Sequence, residues 1–156
     1  MLPTATILWR LAFAAGLGAA IGVERDLRRR PAGIRTSAFV CLASALFTIL
    51  SGVLAQILGD SGATRIASNI VQGIGFLGAG AILRERGGVA GLTTAATIFV
   101  EAAIGMAAGA GLYKVAGFTA LIVLFSLVVL AWVAERLNLK ARMKVFRFTT
   151  SQAERI

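Results

Sequence analysis

The side chains best placed to do chemistry are a few polar residues inside long apolar runs and one charged cluster at the end of a run. Thr93, Thr97 and Glu101 follow one another at intervals of four, which sets them on one side of a helix. Glu101 stands near the middle of its run, and a carboxylate at membrane depth requires a counter-charge, a proton or water, so a functional role is the expectation. Three chemistries fit it. Arg10, about 6 Å outward of the middle of its own run by helix rise, has the reach to form an ion pair with it. A carboxylate there also suits ion coordination or proton carriage, and a neutral glutamic acid would hydrogen-bond across helices. For Thr93, Thr94 and Thr97 the plain alternative is a hydrogen bond returned to their own helix. Asn69 and Gln72, three apart, add two amides to one face of another run.

The charged cluster is Glu24-Arg25-Asp26-Leu27-Arg28-Arg29-Arg30, followed by Pro31-Ala32-Gly33-Ile34-Arg35-Thr36. Oxygen ligands from Glu24 and Asp26 would suit Mg²⁺, which favours carboxylates with several retained waters. The same run also reads as an ion-pair network, as a plain determinant of membrane topology, or as a binder of phosphate and lipid headgroups. The chain has no histidine and a single cysteine, Cys41, inside an apolar run. Disulfide frameworks, His-ligated metals and Ser-His or Cys-His catalysis are thereby excluded for this chain, and Cys41 reads as a small core residue. No activated nucleophile or base beyond carboxylates is available, so an enzyme is not expected, nor is a cofactor other than Mg²⁺ as a ligand or transported ion.

These residues need elements to position them, and composition says where those elements lie. Of 156 residues, 58% are hydrophobic and 15% charged, with a mean hydropathy of +0.84. One domain of this size has no interior large enough for so much apolar surface, so the surplus must face lipid. A formal charge of +9 would suggest nucleic acid in a soluble protein. Here the charge lies between apolar runs, which makes it a topology signal; the bilayer is the expected partner and nucleic acid is not.

Five apolar segments stand out, Ala5–Val23, Ser37–Leu58, Ile66–Leu83, Leu92–Leu112 and Val115–Ala134, each near the roughly 20 residues of a spanning helix. Backbone groups find no partners in lipid, so the segments are predicted to be helices rather than the short alternating strands of a barrel. The expectation is an all-α bundle over 1–134 with a short basic tail over 135–156. Thirteen of the sixteen basic residues fall on one side of the five segments: Arg25, Arg28, Arg29, Arg30 and Arg35, then Arg84 and Arg86, then six in the tail from Arg136 onward. The positive-inside rule puts these in the cytoplasm and the N-terminus outside, in a multi-pass protein of the bacterial inner membrane. Trp9 and Tyr113 near one boundary and Trp132 near the other agree with interfacial anchoring. A connection of a residue or two around Tyr113 and Lys114 predicts a tight hairpin between the last two helices.

Small residues four apart, Gly18 with Gly22, Gly105 with Gly109 and Gly16 with Ala20, define faces on which helix backbones approach closely. Such faces are expected to build a homo-oligomer, with Gly105→Leu disturbing assembly. The run Gly73-Ile74-Gly75-Phe76-Leu77-Gly78-Ala79-Gly80 formally contains G-x-G-x-x-G. It lies at membrane depth with no soluble βαβ unit around it, so a dinucleotide loop is rejected. Four glycines predict a locally irregular span buried among its neighbours. From Leu137 to Phe148 a partial alternation of apolar and basic residues favours a strand near lipid headgroups.

Four motifs in order resemble the MgtC/SapB family of bacterial membrane proteins: Ile21-Gly22-Val23-Glu24-Arg25, Pro31-Ala32-Gly33-Ile34-Arg35-Thr36, the glycine run 73–80, and Gly91-Leu92-Thr93-Thr94-Ala95-Ala96-Thr97. By position the resemblance singles out Gly22, Glu24, Arg25, Arg35, Thr36, Gly75, Gly78, Gly80, Thr93 and Thr94. It implies a multi-span inner-membrane protein of acclimation to low magnesium and, in pathogens, of intracellular survival and virulence. The family's name suggests Mg²⁺ transport, whereas some members look more like regulators of other membrane proteins, including the proton-driven ATP synthase. Longer members continue into a cytoplasmic regulatory domain that is not expected in this chain. Glu101 departs from the small or apolar residue expected at its position. The leading expectation is therefore a regulator of membrane partners in magnesium limitation or envelope stress; the other is a cation transporter whose path is lined by Glu101, Thr97 and Asn69.

Overall fold

A computed structural model describes residues 2–59, 62, 64–83 and 90–137. It contains five helices: α1 (Thr4–Leu27), α2 (Ile34–Leu58), α3 (Arg65–Leu83), α4 (Leu92–Gly109) and α5 (Tyr113–Arg136). They coincide with the five apolar segments to within a few residues, as the lack of backbone partners in lipid requires. Four of them, α1, α2, α4 and α5, are long and apolar enough to cross a membrane. The partly alternating stretch after Leu137 and the arginines at 84 and 86 lie outside the described residues.

Local chemistry sets the helix ends. Pro3 precedes α1 with φ −58° and ψ 141°, and its carbonyl accepts from the amides of Thr6 and Ile7. At the other end Arg29 and Ala32 take positive φ of 52° and 59°, flanking Pro31 in a tight turn into α2. The α2 N-terminus is capped from a distance, because Asp26 Oδ2 accepts from the Ile34 amide at 3.0 Å; this satisfies one of the first-turn N–H groups that a helix leaves without partners. Ser51 Oγ of α2 accepts from Ala67 N at the start of α3 (3.3 Å). The α4–α5 connection is the tight hairpin expected, shifted by about two residues so that Tyr113 and Lys114 begin α5. Gly111 at φ 84° permits the turn, and Leu112 N–H reaches back to Ala107 O at 2.8 Å and Gly111 N–H to Ala108 O at 3.0 Å, a Schellman closure.

Packing runs opposite to that of a water-soluble domain. Large apolar side chains point outward, including Trp9, Phe39, Phe76, Phe118, Leu121 and Phe125, all more than half exposed or nearly so. The centre is built from Ala14, Ile21, Cys41, Ala45, Ile104, Ala108, Ala116 and Ala120. Such an arrangement is unfavourable in water and favourable in lipid, whose chains solvate the outer side chains and leave close backbone packing to hold the helices together. The chain is accordingly a multi-pass helical membrane protein.

Two of the three small-residue faces, Gly18 with Gly22 and Gly105 with Gly109, are consumed within the chain, which corrects the assignment of those two to contacts between copies. A Cβ added at Gly105 would strike the carbonyl of Cys41, one at Gly109 would lie 2.5 Å from Ala45 O, and one at Gly22 would lie 2.5 Å from Ile34 Cα. Gly18 sits against Ser37 O and Cys41 Sγ in the same way. Ser37, Cys41 and Ala45, four apart on α2, thus receive α1 on one side and α4 on the other. Gly16, by contrast, has open space before it.

The glycine run also departs from expectation. It forms a continuous helix, α3, and Gly73, Gly75 and Gly80 have nothing within 4 Å of an added Cβ, while Gly78 faces Ala95 at 3.6 Å. Ala67, Ile70 and Ile74 pack inward with Val40, Ile98 and Ala102, so one apolar stripe fixes α3 to the bundle, and of its four glycines in this run only Gly78 is buried. Gly105→Leu is expected to lower the stability of the single chain by about 3 kcal/mol or more through overpacking, seen as a lower unfolding midpoint in detergent. Gly16→Leu should leave the midpoint within the range of a surface change; equal effects of the two would refute the internal role of Gly105.

Candidate functional site

At the C-terminal end of α1 the charged cluster separates into residues that turn inward and residues that stay outside. Arg25 is buried and its Nη2 donates to Thr94 Oγ1 of α4 at 2.6 Å and to Pro31 O at 3.2 Å. Burying a guanidinium is costly unless it is hydrogen-bonded, and here one side chain ties α1, the 28–33 turn and α4 together. Glu24 is buried beside it, with Arg28 Nε 2.5 Å from Glu24 Oε1. Neither Glu24 oxygen completes a hydrogen bond among the described residues.

These groups form one end of a cleft of about 620 Å³ between α1, α4 and α5. Arg28, Arg30, Thr93, Thr94 and Thr97 line it with Glu24 and Arg25. Thr97 Oγ1 donates to Thr93 O at 2.8 Å, so its hydroxyl is returned to its own helix, and Thr94 accepts from Arg25. The cleft therefore offers an excess of guanidinium groups over carboxylates, with hydroxyl oxygens along one wall.

Asp26 does not join Glu24. Its carboxylate caps α2 and it is absent from the cleft lining; among the described residues no three acidic, cysteine or histidine side chains are grouped to hold a metal. The residues present fit a two-carboxylate Mg²⁺ site poorly, because helix geometry turns the side chains of positions 24 and 26 about 200° apart.

The expected pairing of Arg10 with Glu101 is replaced by two separate arrangements. Arg10 Nη1 donates to Gly109 O at 2.7 Å, supplying a cation and a donor to a helix C-terminus, where carbonyls lack intrahelical partners. Gly109 lies eight residues beyond Glu101, about 12 Å along α4, so Arg10 is held at the far end. Glu101 is fully buried, with Arg25 as the cation acting on it and the Ser37 hydroxyl beside it. Its two oxygens complete no hydrogen bond among the described residues, and Ser37 Oγ donates to Ala32 O at 3.3 Å. Cys41 is a core residue as expected, its thiol donating to Glu101 O at 3.1 Å.

Asn69 and Gln72 stand together on the outside of α3. Asn69 Nδ2 donates to Arg65 O at 3.2 Å, and Asn69 borders a groove of about 600 Å³ between α2 and α3 together with Thr36, Phe47 and Gly73. Thr97 and Asn69 thus line different depressions, and Glu101 is in the lining of neither. Arg35 and Thr36 are exposed at the start of α2. Ser37 and Gly109 O were missed as partners of the buried charges; the spacing of Ser37, Cys41 and Ala45 was the available signal. If the Arg25–Thr94 bond fastens α1 to α4, Thr94→Val should cost about 1–3 kcal/mol. Arg25→Gln and Thr94→Val combined should then destabilise by clearly less than the sum of the single changes in a double-mutant cycle; additivity would refute the coupling.

The sequence profile of the MgtC family matches residues 11–136. Protein MgtC of Brucella abortus (strain 2308) is 50% identical over 102 residues, 65% of this chain and 42% of that protein. Protein MgtC of Salmonella typhimurium (strain LT2) is 46% identical over 122 residues, 78% of this chain and 51% of that protein. The chain thus spans about half the length of these relatives or less, and no solved structure matches it. The matched segment contains all five helices save the first residues of α1, and with them the Arg25–Thr94 tie and the cleft: the chain belongs to the MgtC family.

Proposed function

We propose that this protein is a regulator in bacterial acclimation to magnesium limitation or envelope stress, acting through lateral contact of its helix bundle with another membrane protein. The outer face of α3 carries the reading. Asn69 and Gln72 are exposed there beside Phe76, and Gly73 and Gly80 leave open space. Amides on a helix within a bilayer gain by meeting donors and acceptors of another helix, and glycines let that helix come close. The proton-driven ATP synthase is the partner class that the family resemblance implies, and a second copy of the chain is expected to use the same face.

The remaining assignments belong to this reading. All five helices cross the inner membrane, with the N-terminus outside and the tail over 135–156 in the cytoplasm, and the bundle over 1–134 works without catalysis or a bound cofactor. A cation transporter is the second reading, favoured by the cleft that leads from Glu24 past Thr93 and Thr97; with Asn69 on another face, such a path would be completed between copies.

Mg²⁺ entry into liposomes carrying the folded protein, followed by an internal dye, separates the two. Regulation predicts no flux above empty liposomes, together with inhibition of proton-driven ATP synthesis in vesicles that is relieved by Gly73→Leu. Saturable flux that is lost in Glu101→Gln or Glu24→Gln would establish transport instead. Orientation is checked with a membrane-impermeant maleimide on intact cells in a Cys41→Ala background. Lys114→Cys should be labelled from outside and Arg29→Cys only after lysis; the reverse would invert the topology.

A further inference from the structure

The cleft between α1, α4 and α5 is amphiphilic along its length. Opposite the guanidinium end, its α5 wall is mainly aliphatic, formed by Ile122, Val123, Leu127 and Leu130 with Ser126 among them, a strip about 12 Å long by helix rise. Ile122 and Leu130 are 65% and 64% exposed, so the cleft opens sideways, toward the bilayer. The charged end sets three arginines, Arg25, Arg28 and Arg30, against the single carboxylate of Glu24. Arg25 is committed to Thr94 and Pro31, which leaves Arg28, partly exposed in its contact with Glu24, and the exposed Arg30 to receive an anion.

We propose that this cleft binds one molecule of phosphatidylglycerol, with its phosphate held by Arg28 and Arg30 and an acyl chain laid along α5. Guanidinium groups hold phosphate by charge-assisted, often bidentate, hydrogen bonds. The aliphatic strip accounts for an acyl chain, and a lateral opening lets a lipid enter without crossing the protein. Glu24, whose Oε1 meets Arg28 and whose buried Oε2 completes no hydrogen bond among the described residues, accepts from a hydroxyl of the glycerol headgroup. Phosphatidic acid lacks that hydroxyl, and phosphatidylcholine lacks both it and a net negative charge. The site holds whether the protein regulates a partner or moves an ion.

The test is lipid retention by the full chain, measured by native mass spectrometry after exchange into nanodiscs of phosphatidylglycerol mixed with phosphatidylcholine or with phosphatidic acid. Wild type should retain phosphatidylglycerol over phosphatidylcholine by about tenfold, the equivalent of roughly one charge-assisted contact. Arg30→Gln, on an exposed residue that leaves the Glu24–Arg28 pair intact, should reduce that preference several-fold. Arg29→Gln, outside the cleft lining, should retain it. Leu130→Trp, on a cleft residue that is mostly exposed, should abolish retention of either lipid while the unfolding midpoint stays near wild type. Equal retention of phosphatidylglycerol and phosphatidylcholine would overturn the proposal, as would an unchanged preference in Arg30→Gln. Equal retention of phosphatidic acid would overturn the role of Glu24. Displacement of the lipid by inorganic phosphate alone would show a free-phosphate site in place of a lipid site.

Discussion

Everything in this bundle depends on how closely α1 and α4 approach α2. Where Gly18, Gly105 and Gly109 meet the Ser37–Cys41–Ala45 stripe and Gly22 meets Ile34, backbone touches backbone and a single added carbon has no room. Lipid chains are as apolar as leucine, so apolar side chains alone give these helices little reason to associate, and contact area gained by backbone proximity replaces the hydrophobic effect. The same proximity brings the Cys41 thiol to Glu101 O and lets Arg25 reach Thr94. Had larger residues stood at these positions, both bonds would be too long to form.

Polar side chains that look alike in composition do different work once the helices are placed. Arg10, Asp26 and Ser51 each serve a helix terminus on another element, at Gly109 O, Ile34 N and Ala67 N respectively. Helix ends leave backbone groups without intrahelical partners, and at the edge of a bilayer water satisfies them only in part. Arg25 fastens the end of α1 to the start of α4, while Arg28 and Arg30 border a cleft that opens to the outside. The arginine cluster therefore combines a topology signal, a structural tie and a surface able to meet anions, divided by which way each side chain leaves the end of α1.

The two faces with most to offer a partner lie on different helices. α3 holds on through one apolar stripe and turns amides and open glycines outward, whereas α5 leans over a cleft whose far end is charged. Helix α4 contacts both, carrying Ala95 against Gly78 and Thr93, Thr94 and Thr97 along the cleft. Helix α4 is in turn anchored to α2 at Gly105 and Gly109.

The apolar runs by themselves determined the number, type and approximate limits of the helices, because a chain in lipid must close its backbone hydrogen bonds within each segment. A tight hairpin between the last two helices, though not its place at Gly111, the small faces and the core position of Cys41 were legible for the same local reasons. Partners were not legible. Residue spacing tells which side chains share a helix face, but which neighbour that face meets depends on helix order, rotation and depth. Hence Arg10, matched by depth to Glu101, instead serves Gly109 O, and Asp26, two residues from Glu24, points to α2 while Glu24 points to the cleft. Close small faces suited a second copy as well as a neighbouring helix until the tertiary structure placed Cys41 and Ala45 against them. Continuity along the helix is a property of sequence; the choice between α2, α4, lipid and another molecule as the thing touched is a property of packing in three dimensions.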